Sequence, residues 1–302
     1  MSPSFQTPLR YPGGKARLGA WIALLMRHNK ISGGVYAEPY AGGAGAALYL
    51  LSNQYVRTIF INDVDPVIYS FWWSVLNDSE KLIKLIDSTP VTIKAWKKQK
   101  EILTKPEEHS RTEVGFATFF LNRTNRSGIL KAGVIGGFNQ DSEYKIDARY
   151  NKSDLKARIE AIARHKNRIN LFGLDAVDFI EDIAQNFNKK SLLYLDPPYY
   201  KKGSQLYRNF YNPDDHQKIA KSVSKIKTPW IVTYDNCEQI REIYKKQKTE
   251  DFSLIYSTHS KRPRATEIMV YKYLELPSTP FLSRTTRPYP KAWEQQRINP
   301  VS

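Results

Sequence analysis

Cysteine is almost absent from this chain. Cys237 is the only one in 302 residues, so no internal disulfide can form and a reducing cytoplasm is the expected compartment. Metal-ligand patterning is missing as well. The five histidines, His28, His109, His165, His216 and His259, are scattered, and none pairs with another histidine or with Cys237 at ligand spacing. That argues against a zinc site, and no metal is expected. Position alone supports neither a Ser-His-Asp nor a Cys-His arrangement. No apolar run is long enough to span a bilayer. Met1 to Gly14 has no signal-peptide core, and the apolar stretch Ala20 to Met26 sits in a helical pattern among Lys15, Arg17 and Arg27. There is no internal repeat. Acidic residues are in deficit: 46 Lys and Arg face 30 Asp and Glu, for a net charge of +16. That excess favours a polyanionic partner, nucleic acid by default. No long basic amphipathic helix suggests a membrane surface instead.

The chain is 41% hydrophobic and 25% charged, enough for one large domain or a core domain with an insertion. Val35–Glu38, Thr58–Ile61, Ile169–Phe172, Ser191–Leu195, Trp230–Tyr234, Leu254–Ser257 and Glu267–Tyr273 read as short strands. Helical patterns over Gly14–Arg27, Gly45–Ser52, Pro66–Leu76, Ala176–Phe187, Pro213–Ile226 and Cys237–Gln247 separate most of them. This alternation predicts an α/β fold with a doubly wound, mostly parallel seven-stranded sheet, closed by an antiparallel hairpin at one edge. Residues 1–77 and 167–276 form the expected catalytic domain. Residues 78–166 are expected to be an inserted target-recognition subdomain of helices and a Gly-, Asn- and base-rich loop, and 277–302 a Pro- and Arg-rich tail.

Four segments carry chemistry. The buried strand Ser191–Leu195 runs into Asp196-Pro197-Pro198-Tyr199. Two prolines stop the strand and fix the backbone, which holds a carboxylate, a free carbonyl and a ring at the carboxyl end of a strand, where ligands of open α/β sheets bind. Val35 to Gly45 is a strand, then Glu38-Pro39-Tyr40, then a glycine turn through Gly42 into a helix. It lacks the G-x-G-x-x-G dinucleotide fingerprint. The second strand ends in Asn62-Asp63, about 20 residues on, where nucleotide folds place a carboxylate on ribose hydroxyls. Asp65 suits the cap of the helix that starts at Pro66, which leaves Asp63 for a ligand. Near the start, Tyr11-Pro12-Gly13-Gly14-Lys15 is a glycine turn carrying a lysine; Leu9 and Ala16 rule out a P-loop.

Taken in order, Tyr-Pro-Gly-Gly-Lys, Glu-Pro-Tyr-Ala-Gly-Gly, Ile-Asn-Asp, Asn-Arg-Thr-Asn-x-Ser-Gly and Asp-Pro-Pro-Tyr resemble the D12 class of DNA adenine-N6 methyltransferases, the Dam family, from Leu9 to about Leu274. The resemblance implies S-adenosylmethionine as cofactor, held by Tyr11, Lys15, Glu38, Tyr40, Gly42 and Asp63, with Asp175 at its adenine and Asp196 bordering the pocket. It implies Asp196, Pro197 and Tyr199 as the catalytic turn. Two departures stand out: Ala44 occupies a position where many members have a third glycine, and Arg126 one where an aromatic residue is common.

The residues fit that chemistry. The exocyclic amine of adenine is a poor nucleophile because its lone pair is delocalised into the ring. Two acceptors aimed at its hydrogens, Asp196 and the Pro197 carbonyl, favour a more nucleophilic nitrogen, and Tyr199 can stack on the base. A base inside double-stranded DNA must be flipped out to reach such a site. Arg123, Asn125 and Arg126 in the insertion, Lys201 after the catalytic turn, and Lys261, Arg262 and Arg264 in the terminal hairpin are the expected DNA contacts. Two rivals compete: an enzyme acting on adenine in RNA or on another amine, and a catalytically dead DNA-binding protein on the same fold. Asp196, Lys15 and the glycine turn favour an active adenine enzyme.

Overall fold

The computed structural model describes residues 7–10, 15–201, 211–255 and 264–281. Seven strands, β1 (Val35–Glu38), β2 (Thr58–Asn62), β3 (Ile169–Phe172), β4 (Ser191–Leu195), β5 (Trp230–Asp235), β6 (Lys248–Ile255) and β7 (Arg264–Lys272), form one sheet in the order β3-β2-β1-β4-β5-β7-β6. β1 to β5 are mutually parallel, while β7 runs antiparallel between β5 and β6. The strand order reverses between β1 and β4, so a crevice opens at their carboxyl ends.

Helices cover both faces, which is why β4 is buried at every position. Alternation along β4 divides the core. Leu192 and Tyr194 join the cluster on one face; Leu193 and Leu195 join the other. The first layer holds α1 (Gly19–His28), α2 (Gly45–Ser52) and α3 (Pro66–Asn77); the second holds the helices Pro213–Lys225 and Glu238–Ile243. Asp65 caps α3 by accepting from Val67 N at 3.1 Å, with Pro66 at the first helical position.

Residues 78–166 form α4 (Ser79–Ser88), α5 (Ile93–Ile102), α6 (Arg111–Thr124), a long loop and α7 (Lys152–Ala163). Their apolar residues join the same cluster as α1 to α3, and Phe119 of α6 stacks on Phe71 of α3 with ring centroids 5.9 Å apart. This segment therefore extends the first layer.

Several boundaries differ from the sequence expectation; among them β7 begins at Arg264, not Glu267, and α1 at Gly19, after a 3-10 turn. β6 begins at Lys248, not Leu254, and the helix before it stops at Ile243, not Gln247. Lys248-Thr249-Glu250-Asp251 has the polarity of a loop because β6 is the outer edge strand, where charged side chains protect an open ladder. The segment Ala176–Phe187 is not one regular helix; an α turn over Ala176–Asp178 passes into a π segment, Phe179–Ile183, and then a 3-10 turn.

Candidate active site

Asp196 leaves the end of β4 half-buried, with Pro197, Pro198 and Tyr199 buried behind it. Its neighbours come from β5. Thr233 Oγ1 donates to Asp196 Oδ1 at 2.9 Å, and the Tyr194 hydroxyl lies 2.9 Å from the same Thr233 oxygen. A threonine hydroxyl has one hydrogen, so Tyr194 donates to Thr233 and Thr233 to Asp196. Two residues further along β5, Asp235 accepts from the amides of Tyr200 (2.8 Å) and Lys201 (3.1 Å). β5 thus grips the turn twice, once through the carboxylate and once through the backbone. The Tyr199 hydroxyl donates to Glu267 Oε1 on β7, a carboxylate that is 1% exposed. Thr233, Asp235 and Glu267 were not singled out from sequence; each sits in an ordinary strand pattern.

Across the crevice, Glu38 ends β1 in a buried position. Its Oε1 accepts from the Tyr36 hydroxyl (3.1 Å) and from Ala47 N (3.0 Å) in the first turn of α2. Burial pushes its carboxyl up to about 8, against the pull of those two hydrogen bonds. The turn that follows has Gly42 at φ +47° and Ala44 at φ +47°, ψ +33°. Ala44, at the position where a third glycine was noted as common, therefore carries its Cβ in the left-handed region. Gly45 starts α2 where an added Cβ would lie 2.8 Å from the Ala16 Cβ. The 3-10 turn Lys15–Leu18 can thus pack directly against the glycine turn.

Asp63 follows the end of β2 at the same edge of the sheet. Its Oδ2 accepts from Gly42 N (2.9 Å) and its Oδ1 from Asp65 N (3.0 Å). Burial raises its carboxyl to about 7. The fully buried Asn62 ties three strand ends together: Nδ2 donates to the Pro39 and Leu174 carbonyls, both at 3.0 Å, and Oδ1 accepts from Leu174 N at 2.8 Å. Asp175 is exposed and caps the next turn by accepting from Val177 N at 2.8 Å. Tyr40 reaches toward the second layer, where its hydroxyl meets that of Tyr211 at 2.8 Å. His216 completes this aromatic group. It is 1% exposed, and its Nδ1 lies 3.1 Å from the Tyr234 hydroxyl. Burial lowers its pKa, against the opposing pull of Asp235 and Asp215. Glu38, Tyr40, Gly42, Asp63, Asp175 and Asp196 all lie at the carboxyl edge of the sheet. Tyr11 lies outside the described residues.

The expected DNA contacts divide differently. Asn125 was expected to meet DNA, yet it is buried and its amide is fully engaged: Oδ1 accepts from Trp96 Nε1 (2.6 Å), and Nδ2 donates to the Ile129 and Leu130 carbonyls (both 3.0 Å). Its place is inside the loop that presents the exposed Arg126. Arg123 is half-buried, with Nε donating to the Arg149 carbonyl at 2.8 Å, and burial lowers its pKa to about 10 with Arg10 and Arg158 nearby. Arg10 arrives through Asn122, which accepts from Arg10 N (2.6 Å) and donates to Arg10 O (2.7 Å). At Gly128, φ is +76° and an added Cβ would lie 2.3 Å from that same Arg10 oxygen. Arg10 is therefore docked on the Asn-Arg-Thr-Asn stretch. Lys201 is exposed just after the Asp196–Tyr199 turn, and Arg264 opens β7 opposite Ile255. Lys261 and Arg262 lie outside the described residues. Among the described residues no cluster of His, Cys, Asp or Glu could hold a metal, and no helix is long and apolar enough to cross a membrane.

Residues 11–261 match the model of the D12 class N6 adenine-specific DNA methyltransferase family. No curated protein matches the chain. Among solved structures, it resembles PH1948 of Pyrococcus horikoshii, assigned as an RNA methyltransferase, at 14% identity and a TM-score of 0.39, over 87% of this chain and 84% of that one. It also resembles LPL1258 of Legionella pneumophila, at 10% identity and a TM-score of 0.34, over 90% and 87%.

Proposed function

The chain belongs to the D12 class of N6 adenine-specific DNA methyltransferases, and from that premise we propose that the crevice between β1 and β4 transfers a methyl group from S-adenosylmethionine to an adenine flipped out of a specific duplex site. The observation that carries this reading is Asp196. Its Oδ1 is held by Thr233 beside a rigid Pro-Pro turn, and this fixes the carboxylate that must meet the amine.

S-adenosylmethionine supplies an electrophilic methyl on a cationic sulfonium. The residues around the crevice suit it: carboxylates surround a turn whose backbone can come close to a ligand. Asp63 orders that turn through Gly42 and is the acceptor for ribose hydroxyls. Lys15 and Tyr11 serve the carboxylate end. Glu38 serves the ammonium with its second oxygen while its first caps α2. Tyr40 and Gly42 line the wall, and Asp175 meets the adenine ring of the cofactor. On the substrate side, Asp196 and the Pro197 carbonyl accept the two amine hydrogens. This concentrates the lone pair on N6, and Asp196 is the nearest acceptor for the proton that leaves. Tyr199 stacks on the base in an orientation set by Glu267. Arg123, Arg126, Lys201, Lys261, Arg262 and Arg264 contact the duplex, and Asn125 shapes the loop carrying Arg126.

Purified protein with labelled S-adenosylmethionine and duplex DNA should yield N6-methyladenine by mass spectrometry at one sequence context. Asp196→Ala should lose the activity while retaining cofactor binding. Methyl transfer by that variant at the wild-type rate, or product on RNA alone, would overturn the reading.

A further inference from the structure

The two edges of the sheet differ in charge, although Lys201 lies at the carboxyl edge and the exposed Glu275, after β7, lies at the amino edge. The carboxyl edge holds Glu38, Asp63, Asp175, Asp196, Asp235 and Glu267. At the amino edge, six connections lead from a helix into a strand: residues 29–34, 53–57, 164–168, 187–190, 226–229 and 244–247. Each contains Lys or Arg, ten in total, and none contains Asp or Glu. At the chain's ratio of 46 basic to 30 acidic residues, ten charged positions of one sign would arise on the order of one time in a hundred. Following the strand order from β3 to β6, Lys166, Arg57, Lys30, Lys190, Lys227 and Lys246 form a row in which every side chain is exposed. None of these six has an acidic partner among the described residues.

We propose that this amino edge is a second duplex-binding surface, opposite the catalytic edge, so that one molecule can hold two segments of DNA at once. The proposal rests on DNA being the substrate polymer, which brings the required polyanion to the protein. Six strand intervals of about 4.8 Å give a row roughly 29 Å long, close to one turn of duplex. Successive strands rotate by about 20–25°, so the row winds instead of lying flat. A winding row of cations follows a helical phosphate backbone better than it follows a planar lipid surface. Cations also suit the helix C-termini that precede these connections, so the length and winding of the row, more than its sign, single out a duplex.

The test uses the full chain, a donor-labelled and an acceptor-labelled duplex of about 30 base pairs, and the variant Arg57→Gln/Lys190→Gln/Lys227→Gln/Lys246→Gln. All four positions are exposed and far from the catalytic turn, and an unchanged melting temperature verifies folding. Wild type should bring the two duplexes together in energy transfer. The variant should bind the second duplex at least tenfold more weakly, and the log–log salt slope of that step should be shallower by roughly 3 to 4. Methylation of a short duplex should be unchanged in the variant. Capture of the second duplex with the wild-type affinity and slope would overturn the proposal. So would loss of binding to phosphatidylserine vesicles with duplex capture intact, which would assign the edge to lipid. Failure of wild type to methylate the short duplex would count against the catalytic reading alone, since bridging is measured separately.

Discussion

Thr233 gives its only hydroxyl hydrogen to Asp196 Oδ1 at 2.9 Å, and Tyr194 donates to Thr233 from behind. The carboxylate at the centre of the site is thus oriented by a neighbouring strand. Thr233→Val keeps the shape of the side chain and removes the donor. It should lower kcat by about 10- to 100-fold, equivalent to about 1.4–2.7 kcal/mol, with little change in KM for the cofactor. Thr233→Ser should recover most of the rate. Steady-state kinetics on the three proteins decides this; a valine variant with wild-type kcat would remove Thr233 from the positioning of Asp196.

Tyr199 has two tasks that a single substitution confuses. Tyr199→Phe keeps a ring for stacking but removes the hydroxyl donor from Oε1 of the buried Glu267, a loss of about 1–3 kcal/mol. Melting temperature should fall, and activity with it. The double variant Tyr199→Phe/Glu267→Leu removes both partners and should regain stability and most of the methylation rate. Tyr199→Ala should stay inactive in either background, because base stacking is worth about 1–3 kcal/mol. Unchanged melting of Tyr199→Phe would mean that the Glu267 contact contributes nothing.

The Asp63 carboxyl, raised by burial from 3.8 to about 7, makes cofactor affinity depend on pH. The ionised form is the better acceptor for hydroxyls and the better neighbour for a cation. The dissociation constant of S-adenosylmethionine should therefore fall as pH rises through about 7, and Asp63→Asn should flatten that dependence. The sign for stability is the reverse. A folded value above the unfolded one favours the protonated fold, so stability present below about pH 4 is lost as pH rises to about 7. Calorimetric titration and thermal melts across that range check both halves. A pH-independent affinity in wild type would exclude Asp63 from the ribose.

Asn125 is an internal strut, with every polar atom of its amide engaged. Asn125→Ala should destabilise the protein by about 2–4 kcal/mol and expose residues 126–150 to protease, with DNA affinity falling as a consequence. Arg126→Ala should instead leave melting unchanged and weaken DNA binding or shift site preference. Equal melting temperatures for Asn125→Ala and wild type would contradict the strut.

Much of this protein is determined locally. β1 and β4 begin and end where apolar runs meet turn residues, because a strand covered on both faces needs a continuous apolar segment. The Asp-Pro-Pro-Tyr turn, the glycine turn and Asp63 were readable for the same reason: proline, glycine and a carboxylate at a strand end impose their geometry on the residues beside them. β6 starts at Lys248, six residues before the expected Leu254, because an edge strand tolerates polar residues and so resembles a loop. Asn125 shows a different limit. An asparagine in a polar motif carries no mark of whether its amide will face solvent or the Trp96 indole.

What only the tertiary structure decided are the contacts that make the site rigid. Thr233 reaches Asp196 across 37 residues of sequence, Asp235 reaches Tyr200 across 35, and Glu267 reaches Tyr199 across 68. Periodicity reports which face of a strand is buried, but not which strands become neighbours. Pairing of β4 with β5, and of β5 with β7, places these side chains on the Asp196–Tyr199 turn. That choice depends on long-range packing of the whole sheet, to which no short stretch of sequence is sensitive.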